Sequence, residues 1–476
     1  MRKASGALAI VAATLISACS LAPRDTRPEL PTAAAYPETY AGDIAAGTRA
    51  ETIGWKDFFA DPRLTALVEA ALDHNRDLAA AVAQVEEARG QYRIQRADRL
   101  PAIGIGADAT RTRVGPENAS IGTTDVTSGG TGTFTYDRYT AGAAVTSFEL
   151  DFWGRVRNLS AAARSEYLAS AATARAFRLT LIREVALAYL TSRSAAERLQ
   201  LAEATVNSRR EGLRIAKRRL DAGVTSALDY SQTETLLTQA ETELAALRLT
   251  QAQSDNQLVA LVGKPLDASL PAPLPLAEQS RMDALAVGVP SDLLTSRPDI
   301  LAAEERLRAS RANIGAARAA FLPSITLTGS YGYASSELED LVGSDGLTWS
   351  FGPSINLPLF DFGRRRGNLT VAQARENIAV ADYERTIQTA FREVADALAG
   401  RRFLAEQVAA QERSTSAQRR LADLARTRYR EGVARYLEVL DAERSLFSAE
   451  QALMEVRRAE VSNLVALYVA LGGGQL

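Results

Sequence analysis

Cysteine and histidine are almost absent from this chain of 476 residues, which contains only Cys19 and His74. A single cysteine cannot form a disulfide within the chain. Two such residues offer few ligands to a transition metal, and they do not supply a Ser-His-Asp or Cys-His catalytic site. Phosphate-binding glycine loops and the His-Glu-x-x-His motif are missing too. We therefore expect no metal site, no bound cofactor and no catalytic residue, although composition leaves catalysis by a carboxylate pair open.

An excess of positive charge is missing as well. The chain has 55 basic and 57 acidic residues, which gives a net charge of −2. Proteins that bind nucleic acid usually carry a basic patch, so composition predicts no nucleic-acid partner. Long apolar runs are limited to the N-terminus. The rest of the chain therefore has no stretch of the roughly 20 apolar residues that a transmembrane helix needs.

The N-terminus has the layout of a bacterial export signal. Two basic residues precede an apolar run at 6–16, which is too short to span a membrane. The next residues, Ile16-Ser17-Ala18-Cys19, resemble the lipobox of bacterial lipoproteins. This resemblance implies that residues 1–18 are a signal peptide and that Cys19 carries N-acyl and S-diacylglycerol lipid. Ser20, rather than aspartate, follows, which implies the outer membrane. The alternative is an ordinary signal peptide with a cysteine placed by chance.

Two copies of one sequence pattern follow each other along the chain. Residues 75–89 and 99–103 resemble segments 222 residues further on, at 297–311 and 321–325. Later matches have an offset of 209 residues, and they pair 150–157 with 359–367, 183–190 with 392–399, 219–224 with 429–433, and Gly263 with Gly472. The offset changes once, within 101–148, which indicates a surface loop of different length in the two copies.

Each copy predicts the same order of elements. An amphipathic helix comes first, and Asp61 and Asp292 stand where its N-caps are expected. A strand pair follows, then a helix of about 100 Å, a glycine turn and a closing helix. The expected helices are 64–99, 154–220 and 228–262 in the first copy, and 293–321, 364–430 and 437–471 in the second. The two shorter helices together match the long one, so they can pack against it end to end.

The strands of the second copy alternate between apolar and small polar residues. Every second residue is apolar in 324–333 and, with one interruption, in 347–357. The apolar positions of the first copy are Ile103, Ile105, Ala107, Ala109, Phe134, Tyr136 and Tyr139. This pattern is typical of outer-membrane barrel strands, although a hairpin on a soluble domain shows the same alternation. Pro353 cannot donate a ladder hydrogen bond, so we expect a β-bulge there.

Sheet edges predict that the chain forms oligomers. A bilayer does not tolerate open edges, and four strands are too few to close a barrel, because known outer-membrane barrels begin at about eight strands. Two copies of the chain would provide eight strands, and three would provide twelve.

Four stretches of sequence carry a resemblance to a known family. They are WKDFFADPRLTALVEAAL at 55–72, SRPDILAAEERLRASRANIGAARAAFLPSITLTGSYG at 296–332, FGPSINLPLFDFGRRRG at 351–367 and YREGVARYLEVLDAERSLFSAE at 429–450. With these stretches the chain resembles the TolC-like outer membrane factors, and most closely the lipoprotein branch that includes OprM and the NodT-type efflux proteins. The resemblance covers essentially the whole chain after the signal peptide.

The resemblance implies a mainly α-helical fold with membrane β-strands. The duplicated helix–β-hairpin–long helix–helix unit would form a homotrimer, with a 12-stranded outer-membrane β-barrel on a long periplasmic α-helical barrel. Such a trimer is the passive exit duct of a three-part efflux system for small toxic compounds. Its partners would be a periplasmic adaptor protein, an inner-membrane transporter of the resistance-nodulation-division (RND) type, and the lipid of the outer membrane.

Two other functions remain open at this point. A duct for type I protein secretion has the same fold, although such ducts usually lack the lipobox. A structural coiled-coil lipoprotein without a channel would fit the helices, but the alternating strands argue against it. Metal export is less favoured, because the chain offers few methionine and histidine ligands.

The expected domain boundaries follow the two copies. They are, in order, the signal peptide at 1–18, an N-terminal anchor segment at 19–60, a first repeat at 61–263 with strands at about 102–149, a proline-rich linker at 264–290, and a second repeat at 291–472 with strands at about 324–360. The resemblance implies that the anchor segment and the linker wrap the helical barrel at its equator.

A charged group follows the second glycine turn. Glu438, Asp441 and Arg444 recur at a spacing of three, which places them on one face of the closing helix. The resemblance implies that Leu437, Asp441 and Arg444 close the periplasmic aperture. It implies an acidic ring for Glu438, and carboxylates from three chains would favour cations. The alternative is a solvated charged face. The first copy has Gln232 where the second has Asp441, so the two tips are not equivalent.

The two glycine turns are expected to face the adaptor protein, again by resemblance. The residues concerned are Gly223, Val224, Thr225 and Ser226 in the first copy, and Gly432, Val433, Ala434 and Arg435 in the second. A plain reversal of the chain also needs a glycine at this place, and the two roles are compatible.

Overall fold

The computed structural model describes residues 21–37, 48–115, 133–267, 269–279, 285–286 and 292–474. Predictions about the signal peptide and Cys19 lie outside these residues. The chain divides into two compact units. We call them the sheet unit, which comprises Met1–Arg27, Glu86–Leu168 and Glu305–Val380, and the core unit, which comprises Pro28–Val85, Ala169–Glu304 and Ala381–Leu476.

Helices in the described residues follow the predicted order. Helices α1 to α5 span Trp55–Phe58, Pro62–His74, Arg76–Ala97, Arg155–Asp221 and Ala227–Val262. Helices α6 to α9 span Leu293–Ser296, Pro298–Ala319, Arg364–Arg430 and Tyr436–Ala470. The long helices α4 and α8 each have 67 residues, as the duplication predicts. Among the described residues, no helix combines the length and the apolar character that crossing a membrane requires.

The first helix of each copy is interrupted, so the continuous helices expected at 64–99 and 293–321 are wrong. Asn75 separates α2 from α3, and Arg297 separates α6 from α7; both have an extended backbone. Arg297 precedes a proline, which disfavours the helical conformation. Asn75 instead accepts a hydrogen bond from the Leu78 amide (2.8 Å) and so caps α3.

The residue at each break donates a hydrogen bond to the closing helix of its own copy. The Asn75 side-chain amide donates to the carbonyl of Leu261 (2.8 Å), and the Arg297 guanidinium donates to the carbonyl of Ala470 (3.2 Å). The two breaks are related by the offset of 222 residues and the two carbonyls by the offset of 209. The duplication therefore extends to single hydrogen bonds.

A glycine ends each closing helix against the same break. Gly263 and Gly472 have φ values of 76° and 82°, the left-handed conformation that favours glycine. A Cβ atom on Gly472 would lie 2.6 Å from the carbonyl oxygen of Ser296, and one on Gly263 would collide with the carbonyl of His74. The matching glycines in the sequence thus serve both a helix end and a close backbone contact.

The sheet unit contains one antiparallel sheet from both copies. After a short strand β1 (Thr48–Arg49), the strands are β2 (Ile103–Val114), β3 (Phe134–Glu149), β4 (Leu285–Ala286), β5 (Ser324–Ser335) and β6 (Leu347–Asn356). The sheet has the order β2-β3-β5-β6, so β3 and β5 join the two hairpins. Within the described chain, β2 and β6 are its edges. Strands β1 and β4 pair separately in the core unit.

The register corrects two expectations about the strands. Pairing of β5 with β6 runs without a shift from Tyr333↔Leu347 to Ser324↔Asn356 and includes Pro353, so the bulge predicted there is wrong. Leu327 of β5 lies directly opposite Pro353, so the ladder passes the proline without an extra residue. The register shift lies between Val145 and Phe148 on β3. Tyr136, assigned to the apolar positions, pairs with Thr112 and lies on the opposite face from Tyr139.

Strands β3 and β5 meet at a pair of glycines that leaves no room for a side chain. Gly142 lies directly opposite Gly332. A Cβ atom on Gly142 would lie 2.6 Å from the Tyr331 carbonyl oxygen and 2.7 Å from the Gly332 Cα atom. Both contacts would be with backbone atoms, so a side-chain movement could not relieve them. This pair fixes the seam between the two copies.

The core unit is organised around buried apolar residues and the buried carboxylate of Asp61. Leu179, Ile182, Val185 and Tyr189 of α4, predicted to recur at helical spacing, are all buried. Asp61 is fully buried and caps α2 as predicted, accepting from the Arg63 amide (2.8 Å). It also accepts from the Tyr189 hydroxyl, the Leu274 amide and the Gln279 side chain. This carboxylate ties the linker to the helices.

The expected cap at Asp292 is wrong. Its side chain makes no capping bond to α6, and it pairs with Arg49 at 3.6 Å. Asp292 has helical dihedral angles, whereas an N-cap residue needs an extended backbone for its side chain to reach the next amides.

Residues 21–27 lie along α7 in the sheet unit, and we call them the strap. Asp25 accepts from the guanidinium groups of Arg308 (3.0 Å) and Arg311 (3.1 Å), and Arg311 is buried and also pairs with Glu376 (3.0 Å). The Leu21 carbonyl accepts from Arg318 (2.9 Å). Gly315 makes room for this segment, since a Cβ there would lie 2.8 Å from the Ala22 nitrogen. The chain just after Cys19 is thus held by specific contacts.

Replacing Gly142 by alanine should lower the melting temperature of the purified protein. The added methyl group forces β3 and β5 apart, and overpacking of this kind costs about 1–3 kcal/mol. Circular dichroism in detergent would measure the change. Gly104→Ala is the matched control, because it adds the same methyl group to the same face of the sheet with nothing within 4 Å. Equal melting temperatures for the two variants would show that the glycine pair does not set the seam.

Candidate functional site

The first tip, between α4 and α5, is held by a complete capping box. Gly223 has a φ of 72° and reverses the chain. Ser226 accepts from the Asp229 amide (3.1 Å), and the Asp229 carboxylate accepts from the Ser226 amide (3.3 Å) and the Thr225 hydroxyl (3.0 Å). These hydrogen bonds lower the pKa of Asp229. The carboxylate of the first tip is therefore engaged in closing its own turn.

The second tip, between α8 and α9, has the same turn without the cap. Gly432 has a φ of 74°, and the Val433 amide donates to the Arg428 carbonyl (3.0 Å). Arg435 occupies the N-cap position and makes no side-chain capping bond. Glu438 stands where Asp229 stands in the first copy, and its carboxylate pairs with Arg428 (3.1 Å) across the turn. The two tips share their backbone geometry and differ in the use of their carboxylates.

The structure brings the four predicted aperture residues together on the first turns of α9. Asp441 and Arg444 form an ion pair of 3.0 Å with each other, and both side chains are more than half exposed. Leu437 is 40% exposed. All four side chains are therefore accessible on the isolated chain. Their assignment to an aperture remains a prediction.

Aromatic residues that the sequence reasoning did not single out connect the two tips. Arg219 of α4 donates to the Tyr429 hydroxyl of α8, and its guanidinium lies 6.0 Å from the Tyr429 ring centre. The rings of Tyr429 and Tyr436 lie 5.1 Å apart. Burial raises the pKa of Tyr436. Two tyrosines flanking Gly432 on alanine-rich helices were the available signal in the sequence.

A second link joins the copies further from the tips. Arg209 of α4 is buried; its guanidinium donates to the Leu236 carbonyl (2.6 Å) and lies 5.3 Å from the Phe447 ring centre of α9. Burial lowers its pKa. Nearby, Glu443 pairs with Arg426 (2.9 Å). Helices α4 and α5 share an apolar cluster that includes Ala202, Val206, Leu237, Ala240 and Leu244, and Phe447 of α9 packs against this cluster. The two helix pairs are therefore joined by polar side chains and by one apolar ring.

Comparison with known proteins connects this geometry to a family. The sequence model of the family described as outer membrane efflux protein matches residues 67–264 and 289–473, which are the two copies. The chain belongs to the outer membrane efflux protein family.

Related proteins match over the whole length of the chain. The outer membrane protein OprJ of Pseudomonas aeruginosa is 42% identical, covering 100% of this chain and 97% of OprJ. The toluene efflux pump outer membrane protein TtgF of Pseudomonas putida is 43% identical over 98% of this chain and 96% of TtgF. The open state of the MtrE outer membrane channel of Neisseria gonorrhoeae has a TM-score of 0.85 at 37% identity, covering 96% of this chain and 99% of MtrE.

These matches establish the fold and the function expected from the sequence. The protein is a trimeric efflux channel of the outer membrane, in which the two copies in each chain supply four strands to a 12-stranded β-barrel and the helices form a periplasmic barrel. It is the outer-membrane exit duct of an efflux system. The readings as a type I secretion duct and as a coiled-coil stalk without a channel are therefore set aside.

Installing the missing cap should make the second tip resemble the first. Arg435→Ser creates Ser-x-x-Glu with Glu438, and an N-cap of this kind contributes about 1 kcal/mol to helix stability. Hydrogen exchange of the first α9 amides should slow. Ser226→Ala removes the existing cap and should speed exchange at the start of α5. If both variants leave these rates unchanged, capping does not distinguish the tips.

Proposed function

We propose that the second tip is the gate of the efflux channel. Leu437, Glu438, Asp441 and Arg444 of three chains would line the periplasmic aperture and close it. The observation that carries the proposal is the state of Asp441 and Arg444, which pair with each other within one turn of α9 and stay more than half exposed. Both charges can therefore exchange this partner for one on a neighbouring chain.

Exchanging the partner within α9 for one on a neighbouring chain would require little free energy. An exposed ion pair contributes about 0–1 kcal/mol to stability, because water solvates both charges and the side chains lose entropy on pairing. Glu438 is in a similar state, since its partner Arg428 is also exposed. A ring of such residues can be closed by bonds between chains and opened without a large loss of free energy. Six carboxylates from three chains would favour cations at the mouth.

The difference between the tips supports different roles for the two helix pairs during opening. The first tip fixes its carboxylate in a capping box, and its helices α4 and α5 share an apolar cluster. The second tip lacks the box, and its helices contact the first pair through side chains such as Arg219, Arg209 and Phe447. We infer that α8 and α9 move when the aperture opens and that α4 and α5 stay in place.

The partners follow from the place of the chain in its family. The tip residues Gly223 to Ser226 and Gly432 to Arg435 would contact a periplasmic adaptor protein. An RND-type inner-membrane transporter would supply the energy, since the sequence offers no nucleotide-binding motif and conduction through the duct is passive. Relatives such as TtgF are named for toluene efflux, so small toxic organic compounds are the proposed cargo.

Cys19 is proposed to carry the lipid anchor. The strap supports this role, because contacts from Leu21 to Thr26 hold the chain against α7 within a few residues of Cys19. Helix α7 leads directly into β5, a strand of the membrane barrel. Acyl chains on Cys19 would therefore start next to the barrel wall and enter the same membrane.

Opening the gate should raise conductance. Asp441→Ala combined with Arg444→Ser removes the exposed pair, so the closed aperture loses its bridging charges and single-channel conductance in planar bilayers should rise. The matched control is Lys217→Ser with Asp221→Ala, which removes another exposed pair (2.7 Å) at the periplasmic end of α4. An unchanged conductance in the gate variant, or an equal rise in the control, would contradict the assignment.

Mass spectrometry of the mature protein tests the anchor. The proposed product begins at Cys19 and carries three acyl chains, whereas Cys19→Ser should lack this added mass and retain its leader. Mature wild-type protein without added lipid mass would refute the anchor and leave the gate proposal untouched.

A further inference from the structure

One face of the barrel sheet carries most of its apolar residues. Cross-strand partners share a face, so the register places Ile105, Tyr139, Tyr331 and Trp349 on the same side as the other odd-numbered strand residues. Exposure on the isolated chain reaches 91% for Ile105 and 73% for Trp349. In a barrel that spans the outer membrane, this face contacts lipid. We call it the lipid face.

The two ends of the lipid face point to opposite sides of the membrane. Strands β2 and β5 start from helices α3 and α7, and β3 and β6 lead back into α4 and α8. The helices are periplasmic, so this end is the periplasmic one. The ends of β2 at Val114 and of β5 at Ser335 therefore lie at the outer end. Tyr139, Tyr333 and Trp349 form an aromatic group towards the outer end of the lipid face.

Two arginines lie on the lipid face beyond these aromatic residues. Arg111 pairs across the strands with Asp137, and Arg113 pairs with Thr135, one and two steps past Tyr139. Arg111 is eight residues from Ile103, or about 27 Å along the strand. At a strand tilt of about 40° this is roughly 20 Å of height, near the upper limit of an apolar band of about 25 Å. Both arginines thus reach the headgroup layer of the outer leaflet.

The local charge remains positive despite the neighbouring acid. Arg111 and Asp137 form an ion pair of 3.3 Å, but the arginine side chain is 77% exposed. An exposed ion pair of this kind contributes little to stability. The Arg111 guanidinium therefore has N–H groups that can donate to another acceptor. Arg113 is exposed, and the Thr135 and Tyr139 hydroxyls lie on the same face. Two positive charges and one negative charge leave a net charge of +1 per chain at this place.

We propose that Arg111 and Arg113 form a binding site for a phosphate group of an outer-leaflet glycolipid of the lipid A class. Arginine presents a planar fork of donors that binds phosphate oxygens in pairs. Lipid A carries its phosphates at the surface of the apolar layer, where these side chains end. Its acyl chains would cover Ile105 and the other apolar residues below. A free phosphate ion would gain nothing from that apolar surface.

The strand pair supplies its own control residue. Arg138 lies on the same two strands, opposite Thr110, and is exposed. Because its position is even-numbered, its side chain points to the face opposite the lipid face, which lines the channel. Replacing Arg138 removes the same charge at nearly the same height but on the other side of the barrel wall.

Native mass spectrometry of the detergent-solubilised trimer would test the proposal, with lipid A, phosphatase-treated lipid A and inorganic phosphate as probes. Up to three lipid A molecules should bind to the wild type and to Arg138→Gln. Arg111→Gln with Arg113→Gln should bind about tenfold more weakly. Asp137→Asn removes the competing carboxylate and should bind more tightly. Phosphatase-treated lipid should bind to every variant as weakly as lipid A binds to the double variant.

Several outcomes would overturn the site. Equal binding of lipid A to the wild type and the double variant excludes the two arginines. Equal weakening by Arg138→Gln shows a general charge effect. If phosphatase-treated lipid A binds to the wild type as tightly as lipid A does, the phosphate group is not recognised. If inorganic phosphate at low millimolar concentration displaces lipid A, the lipid is not the preferred source of the phosphate group. If the double variant does not assemble into trimers, Arg113→Gln alone and Asp137→Asn give the same comparison in opposite directions.

Discussion

Unpaired backbone at the two edges of a four-stranded sheet is the constraint on which the rest of this protein depends. Strands β2 and β6 are the edges of the described sheet, and a bilayer offers their amides and carbonyls no water. Closure with two further chains satisfies these groups. The same closure fixes a threefold axis, so a residue placed once in the sequence is placed three times around a duct. In the proposed gate, Leu437, Asp441 and Arg444 would form a ring around this axis, because the sheet needs two further chains to close.

The two copies share the same order of helices and strands, and they differ most clearly at the caps of their tips. Asn75 and Arg297 break the first helix of each copy at equivalent positions and bind equivalent carbonyls. Close backbone contacts at Gly263 and Gly472 preserve this arrangement in both copies. The tips diverge, since Ser226 caps its helix and Arg435 does not. A symmetric scaffold therefore carries one tip with a fixed carboxylate and one with carboxylates available to other partners.

Arginine side chains have two different roles in the sheet unit. The strap places buried Arg311 between Asp25 and Glu376, so the segment next to the proposed anchor is held by paired charges. Arg111 and Arg113 occupy the outer limit of the lipid face, where a charged side chain costs only about 0–1 kcal/mol. Arg311 lies on a periplasmic helix, whereas Arg111 and Arg113 lie on strand β2.

Sequence alone determined the two copies, the 67-residue helices, the alternating strands and the need for more than one chain, because periodicity and edge pairing are local or additive properties of the chain. It could not locate the break at Asn75, since the bond from Asn75 to Leu261 joins residues 186 positions apart. It misplaced the bulge at Pro353, because the continuous register of β6 against β5 is set by pairing along the whole length of both strands. It also missed the link from Arg219 to Tyr429 and the lipid-face position of Arg111. These features depend on which distant segments meet, and tertiary packing alone decides that.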